Sequence, residues 1–309
     1  MKNRKSSAFL KYMKRNQIYY WMLLPGVLYF LIFKIVPMFG VIIAFFDYKP
    51  YFGIKGILTS DFVGLKWFKR FFSSIYAERL IGNTLWISLL KLFWGFPAPI
   101  LLALMLNEVQ NQRVKKGIQT ITYIPHFLSW VIVTGVLRQL ITTDGGFVNE
   151  IVKFFGGEPI LFLGNEKYFR SLLVITDIWK GVGWGSIVYI AAISSIDQEL
   201  YEAARIDGAS TLQCMRHITL PSLYPIISIM LILKVGDLLD GNFEQTQLLL
   251  TSQVYSVGDI IDTYVYREGL VNMNYSYSTA VNLFKSIIGL ILVTISNKCA
   301  QKAGQEGIM

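Results

Sequence analysis

Residues 202–221 read EAARIDGASTLQCMRHITLP, a polar block set between two long apolar runs. A chain this apolar should hide its polar residues or leave them in loose loops, and this block does neither. Residues 198–206 (QELYEAARI) are good helix formers, with Asp197 placed as N-cap and Glu199 in the first turn. Asp207-Gly208 is a stop signal, because glycine accepts the left-handed conformation that ends helices. Ser210 or Thr211 is placed to cap a second short helix through His217, and Pro221 then closes the block and opens the next apolar run. The expected product is a helix–turn–helix elbow across the ends of membrane spans. Ala203 and Ala204 give it a low face that a partner can approach, with Glu202 and Arg205 beside it for polar contacts. An ordinary loop that turns helical fits the same residues, so on side-chain chemistry alone both readings stand.

The chain around the block is that of a membrane protein. Of its 309 residues, 53% are hydrophobic and 16% charged, against about 25% charged in soluble domains. Mean hydropathy is +0.47. Apolar runs of about 20 residues then predict an all-α integral membrane protein. Six transmembrane helices are expected, at residues 20–45, 83–106, 118–140, 172–194, 222–239 and 276–296. The chain divides into a basic N-terminus (1–18), a first span (19–46), an external loop (47–82), a core of five spans (83–296) holding a loop at 195–221, and a tail (297–309).

Orientation follows from the bases. Lys2, Arg4, Lys5, Lys11, Lys14 and Arg15 precede the first span with no acid among them, and Arg113, Lys115 and Lys116 follow the second. Positive residues stay inside, so both termini and the 195–221 loop are expected in the cytoplasm. The net charge of +9 sits mostly beside spans, which points to lipid headgroups and topology rather than nucleic acid. Cys214 and Cys299 fall on the reducing side and are expected as free thiols. With His126 and His217 the only histidines, no metal site is expected. No phosphate-binding loop occurs, so ATP chemistry would belong to another polypeptide. In the first external loop, residues 62–72 (FVGLKWFKRFF) suit an interfacial helix or a few buried anchors equally.

Glu202-Ala203-Ala204, three residues, Gly208, nine residues, Ile218, one residue and Leu220-Pro221 match in full the EAA signature of permease subunits of binding-protein-dependent ABC importers. The flanking Glu199-Leu200-Tyr201 and Ala209-Ser210 look like the maltose-type (MalF/MalG-like) sugar branch. Leu24-Pro25-Gly26, residues 62–65 (FVGL), Asn83-Thr84 and residues 32–48 (IFKIVPMFGVIIAFFDY) are similar to Gram-positive oligosaccharide permeases called LplB- or YteP-like. The likeness covers most of the chain. It implies a type I ABC importer fold in a bacterial plasma membrane, a second homologous permease forming a heterodimer, two ATP-binding ABC subunits, and an extracellular solute-binding lipoprotein that delivers a carbohydrate. ATP and magnesium would be held by the ATPase subunits, with no cofactor in this chain. By motif position, Glu202, Ala203, Ala204, Arg205, Asp207 and Gly208 would form the coupling helix, with Leu220 and Pro221 closing it. A two-state tilt of the spans on ATP binding would follow.

Ionisable residues in hydrocarbon face a cavity or a partner, since their cost is otherwise several kcal/mol. Lys91 and Lys285 are expected about 12–14 Å in from the outer end, at about 1.5 Å per residue. Asp177, Lys180, Asp237 and Asp240 lie nearer the outside. Thr84, Ser88 and Lys91 share a helix face, as do Ser278, Asn282 and Lys285, and as do Asp177, Lys180 and Trp184. Together they predict a wet recess open outward, with Trp179 and Trp184 as platforms for a sugar ring. The substrate path is thus read as Lys91, Asp177, Trp179, Lys180, Trp184, Asp237, Asp240, Asn282 and Lys285, its lysines suited to acidic sugars. Ion pairs Asp177–Lys180 and Lys234–Asp237 that merely fix helix packing fit equally.

Three other classes compete with this reading. A membrane-embedded glycosyl- or acyltransferase would need an acid or histidine constellation at one membrane face, and neither histidine has such a partner. A scaffold that only recruits a soluble protein would need no polar recess. An importer for another solute, such as glycerol phosphate, shares every feature above.

Overall fold

The computed structural model describes residue 12 and residues 14–302, and among these it is helical apart from connections and one antiparallel bridge, Phe46 with Phe62. The basic residues Lys2, Arg4, Lys5 and Lys11, and positions 303–309 of the tail, lie outside the described residues. Four helices are long and apolar enough to cross a membrane: α1 (Gln17–Phe45), α3 (Ala77–Glu108), α9 (Thr211–Gly236) and α12 (Tyr275–Lys302). A fifth crossing arises if the bent pair α4 (Gln112–Phe127) and α5 (Trp130–Ile141) counts as one. Between these stand α2 (Lys66–Phe72), α6 (Phe147–Phe154), α7 (Glu166–Ser194), α8 (Gln198–Ile206), α10 (Phe243–Leu249) and α11 (Ile261–Tyr266).

Three differences from expectation have local causes. The predicted span 118–140 is broken, α4 and α5 meeting at 104°. Pro125 denies the helix an N–H, Leu128 is extended, and Ser129 caps α5 by accepting from the Ile132 N–H. The predicted span 172–194 belongs to α7, whose 29 residues reach about 44 Å at 1.5 Å per residue, but Asp177, Lys180 and several glycines dilute its hydropathy. Span 222–239 begins eleven positions early, at Thr211, because Pro221 does not interrupt its helix. The Leu220 N–H reaches back five residues to Met215 O in a π turn (Met215–Thr219), widening the coil ahead of the proline ring. The same device precedes Pro37, where the Val36 N–H returns to Leu31 O.

α1 buries only Ala44; a helix apolar on all sides belongs against lipid or another chain. Two apolar clusters mark opposite ends of the bundle. Phe71, Leu80, Ile261, Tyr264, Tyr277 and Val281 pack where α3 and α12 begin. Ile100, Ala103, Leu104, Tyr189, Ile193 and Leu223 pack where α3 and α7 end, beside the elbow. The polar residues collect between them. Gly183 sets the closest helix approach: a Cβ there would lie 2.1 Å from Thr122 O, so only glycine lets α7 press against α4.

Candidate functional site

At the elbow, α8 covers Gln198–Ile206 and the Asp197 carboxylate accepts from the Glu199 N–H at 3.0 Å. Gly208 takes a φ of 81°, and the Ala209 N–H returns to Ala204 O at 2.9 Å, the helix stop that a left-handed residue makes. Ser210 and Gln213 then cap each other: the Ser210 N–H donates to Gln213 Oε1 at 2.7 Å and the Gln213 N–H to Ser210 Oγ at 3.4 Å. The second helix does not end at His217 but runs on as α9. Tyr201 shares a hydrogen bond with Thr219 across the corner at 2.9 Å. Glu202, Ala203, Arg205, Asp207, Gly208 and Pro221 are exposed, whereas Ala204 and Leu220 are half-buried. The outward face also carries Leu200, Ile206 and Leu212, with Ile206 86% exposed. Two of these apolar side chains, Leu200 and Ile206, stand on α8 and the third, Leu212, on α9.

The second polar assembly lies at mid-depth. Thr84, Ser88 and Lys91 are all buried on one face of α3, as their spacing predicted. Lys91 Nζ donates to Gln245 Oε1 at 2.6 Å and to Gly241 O at 3.0 Å, with Asp177 Oδ1 at 3.9 Å. Gln245, fully buried, donates onward to Leu173 O and Thr176 Oγ1. Asp177 also accepts from Asn242 at 3.0 Å. Lys91, Asp177, Lys234, Asp237 and Asp240 line one cavity of about 410 Å³. A neighbouring recess of about 320 Å³ shares Asp177 and Lys234 and adds Trp184. On α12, Lys285 Nζ donates to Asp240 at 2.7 Å and to Asp262 at 2.6 Å, beside a third cavity of about 570 Å³. Burial raises the pKa of Asp262 above the ordinary carboxylate value, with the Lys285 charge pulling it down.

Some expected members stand elsewhere. Lys180 does not pair with Asp177; its ammonium donates to Pro125 O, His126 O and Leu128 O at 3.3, 2.8 and 2.6 Å. Pro125 O also accepts from the Leu128 N–H at 3.2 Å, so His126 O and Leu128 O are the carbonyls that the break in α4 leaves to the cation. His126 stacks on one face of Trp184 at 4.5 Å and 2°, while Trp184 stays 46% exposed on the wall of the recess of about 320 Å³. Trp179 is half exposed and Asn282 exposed, and neither lines these three cavities. Asn282 lies four residues from Ser278, about 40° around the helix, enough to leave the buried seam that Ser278 and Lys285 keep at seven. No ion pair joins Lys234 to Asp237 among the described residues.

Sequence reading missed the inserted segment 237–274. The expected spans end at 239 and resume at 276 with no element between them, yet the segment returns into the bundle. Gly241 and Asn242 turn it with positive φ, Gln245 and Asp259 are fully buried, and Arg267 holds Asp259 at 2.7 Å. Asn83 and Arg170 fasten it from α3 and α7. Its length was the available signal, because structureless connections beyond about 15 residues are uncommon.

These features fall in a known class. Residues 95–301 match the family described as the binding-protein-dependent transport system inner membrane component, and the chain belongs to that family. The polygalacturonan/rhamnogalacturonan transport system permease protein YteP of Bacillus subtilis (strain 168) is 50% identical over 99% of this chain and 94% of its own. Protein LplB of the same organism is 46% identical over 98% and 95%. The crystal structure of a bacterial ABC transporter involved in the import of the acidic polysaccharide alginate contains a chain that superposes with a TM-score of 0.88. It is 39% identical and covers 96% of this chain and 99% of its own.

Proposed function

We propose that this chain is the permease subunit of an ATP-driven importer for an oligosaccharide with acidic units. It works with a second permease, two ATPase subunits and an external solute-binding lipoprotein. Six crossings result when α7 and the bent pair α4–α5 each count as one, which puts both termini and the elbow in the cytoplasm. The ATPase subunit covers the exposed face of α8, taking Ile206, Leu200 and Leu212 into its groove, with Glu202 and Arg205 at the rim. The family membership and the polysaccharide relatives support the carbohydrate assignment. The polar cavities around Lys91, Asp177, Asp237 and Lys285 are the part of the translocation path that this subunit supplies.

The observation that carries this reading is the elbow. The EAA residues form an exposed helix, ended by Gly208 at φ 81° and tied to α9 by the Tyr201–Thr219 hydrogen bond. Cys214 is buried and Cys299 exposed, so a reporter cysteine at Ile206 in a Cys299→Ser background tests it. Ile206→Cys should react with a membrane-impermeant maleimide in inverted vesicles and not in intact cells, and the ATPase subunit should protect it. Labelling from outside intact cells would end the proposal.

A further inference from the structure

We propose that the cavity of about 570 Å³ between the inserted segment and α12 is a seat for one uncharged sugar ring, recognised through its hydroxyl groups. The proposal rests on the carbohydrate-import reading above and narrows which unit of the chain this wall accepts. The volume falls in the range of small-ligand sites, about 300–1,000 Å³, and the lining has their character: mostly apolar, with a few convergent polar groups.

Two of those polar groups are carboxylate acceptors, set beside Asn242, Ser278 and Lys285. Asp240 and Asp262 both line the cavity, and a carboxylate can only accept. Lys285, the one cation of the lining, is already engaged by both, at 2.7 and 2.6 Å. The second oxygen of Asp262, Oδ2, is buried with no hydrogen-bond partner among the described residues. A buried acceptor without a donor is rare, but an oxygen this enclosed lies beyond a ligand's reach; the Asp240 carboxylate, its side chain 69% exposed, is the acceptor to which a sugar hydroxyl donates in a strong, charge-assisted bond. A uronate would instead bring a third carboxylate to a cluster that already holds two against one ammonium, and like charges at short range repel.

The apolar side of the cavity suits the same ligand. Phe243 and Tyr266 stand with ring centroids 5.5 Å apart, and Tyr275 lines the wall as well. Tyr266 is 37% exposed, so aromatic surface remains for the C–H face of a ring. Asp240 and Asn242 also line the cavity around Lys91, which makes the two spaces neighbours across a shared wall. Along both, Asp177, Asp237, Asp240 and Asp262 outnumber Lys91, Lys234 and Lys285. Of the lysines that suggested an affinity for acidic sugars, Lys285 is held by Asp240 and Asp262, Lys91 stands 3.9 Å from Asp177, and Lys180 is engaged by backbone carbonyls.

D-galactose and D-galacturonate differ only at carbon 6 and serve as matched probes. The full transporter in lipid nanodiscs is titrated with each, and saturation-transfer NMR gives an apparent Kd. Galactose should bind about tenfold more tightly than galacturonate. Tyr266→Ala and Asp240→Asn should each weaken galactose by about tenfold, Tyr266→Phe should keep it, and Asp240→Asn should narrow the gap between the probes. Equal or tighter binding of galacturonate overturns the proposal, as does galactose binding that both variants leave unchanged. If galactose binds as expected while no carbohydrate is taken up with ATP, the importer reading fails and the seat stands. Uptake without galactose binding removes the seat alone.

Discussion

Lys91 Nζ donates to Gln245 Oε1 at 2.6 Å, joining α3 to a segment 154 positions further along the chain. Both groups are buried, and the amide hands the link on to α7 through Leu173 O and Thr176. Removing one partner of a buried hydrogen bond to a charge costs about 1.5–3 kcal/mol. Gln245→Leu is therefore expected to lower the thermal unfolding midpoint of the purified complex. An unchanged midpoint would show that the three helices do not depend on this link.

Lys180 is predicted to act as a clamp rather than as a sugar contact. Its ammonium serves three carbonyls at the break between α4 and α5. Lys180→Met takes this donor from His126 O and Leu128 O and should destabilise the complex by about 3 kcal/mol, while KM of the residual uptake stays near wild type. Spin labels on α4 and α5 should report a changed angle. A KM shift with normal stability would return Lys180 to the substrate path.

The contact at Gly183 permits a sharper test of packing. With Thr122 O at 2.1 Å from the added atom, Gly183→Ala must push α7 from α4. Overpacking of this kind costs about 1–3 kcal/mol, to be read as a lower unfolding midpoint. Gly181→Ala, where nothing lies within 4 Å, is the matched control and should be neutral.

Gly208 separates strain from disruption. No atom would meet its Cβ, so Gly208→Ala bears only the left-handed backbone cost, about 1 kcal/mol, and should retain most ATP-driven uptake. Gly208→Pro forbids φ of 81° and removes the N–H that bonds Arg205 O. It should leave the chain inserted but abolish uptake and transport-linked ATP hydrolysis in proteoliposomes. Full uptake in the proline variant would show that elbow geometry does not matter. Glu202→Lys, a charge reversal on the exposed face, should weaken co-purification of the ATPase subunit.

The elbow was readable from residues 197–213 because capping and stop signals are local: Asp197, Gly208 and Ser210 each act within a turn of themselves. The buried seam Thr84–Ser88–Lys91 was readable for a similar reason, one helical period. What failed to show was partnership across distance. Nothing beside Lys180 in sequence announces that its neighbours are the carbonyls of residues 125, 126 and 128. Asp177 was paired with the nearest lysine in sequence when the nearest in space is Lys91. The proline at 221 reads as a break, and only the turn before it, wound one residue wider, explains why the helix continues.

That unbroken passage through Pro221 has a mechanical result. Thr211 beside the elbow and Lys234 on the wall of the Lys91 cavity ride on one rod of 26 residues, about 39 Å long at 1.5 Å per residue. The corner at its foot and the cavity wall at its head therefore belong to one helical element, with no connecting loop between them.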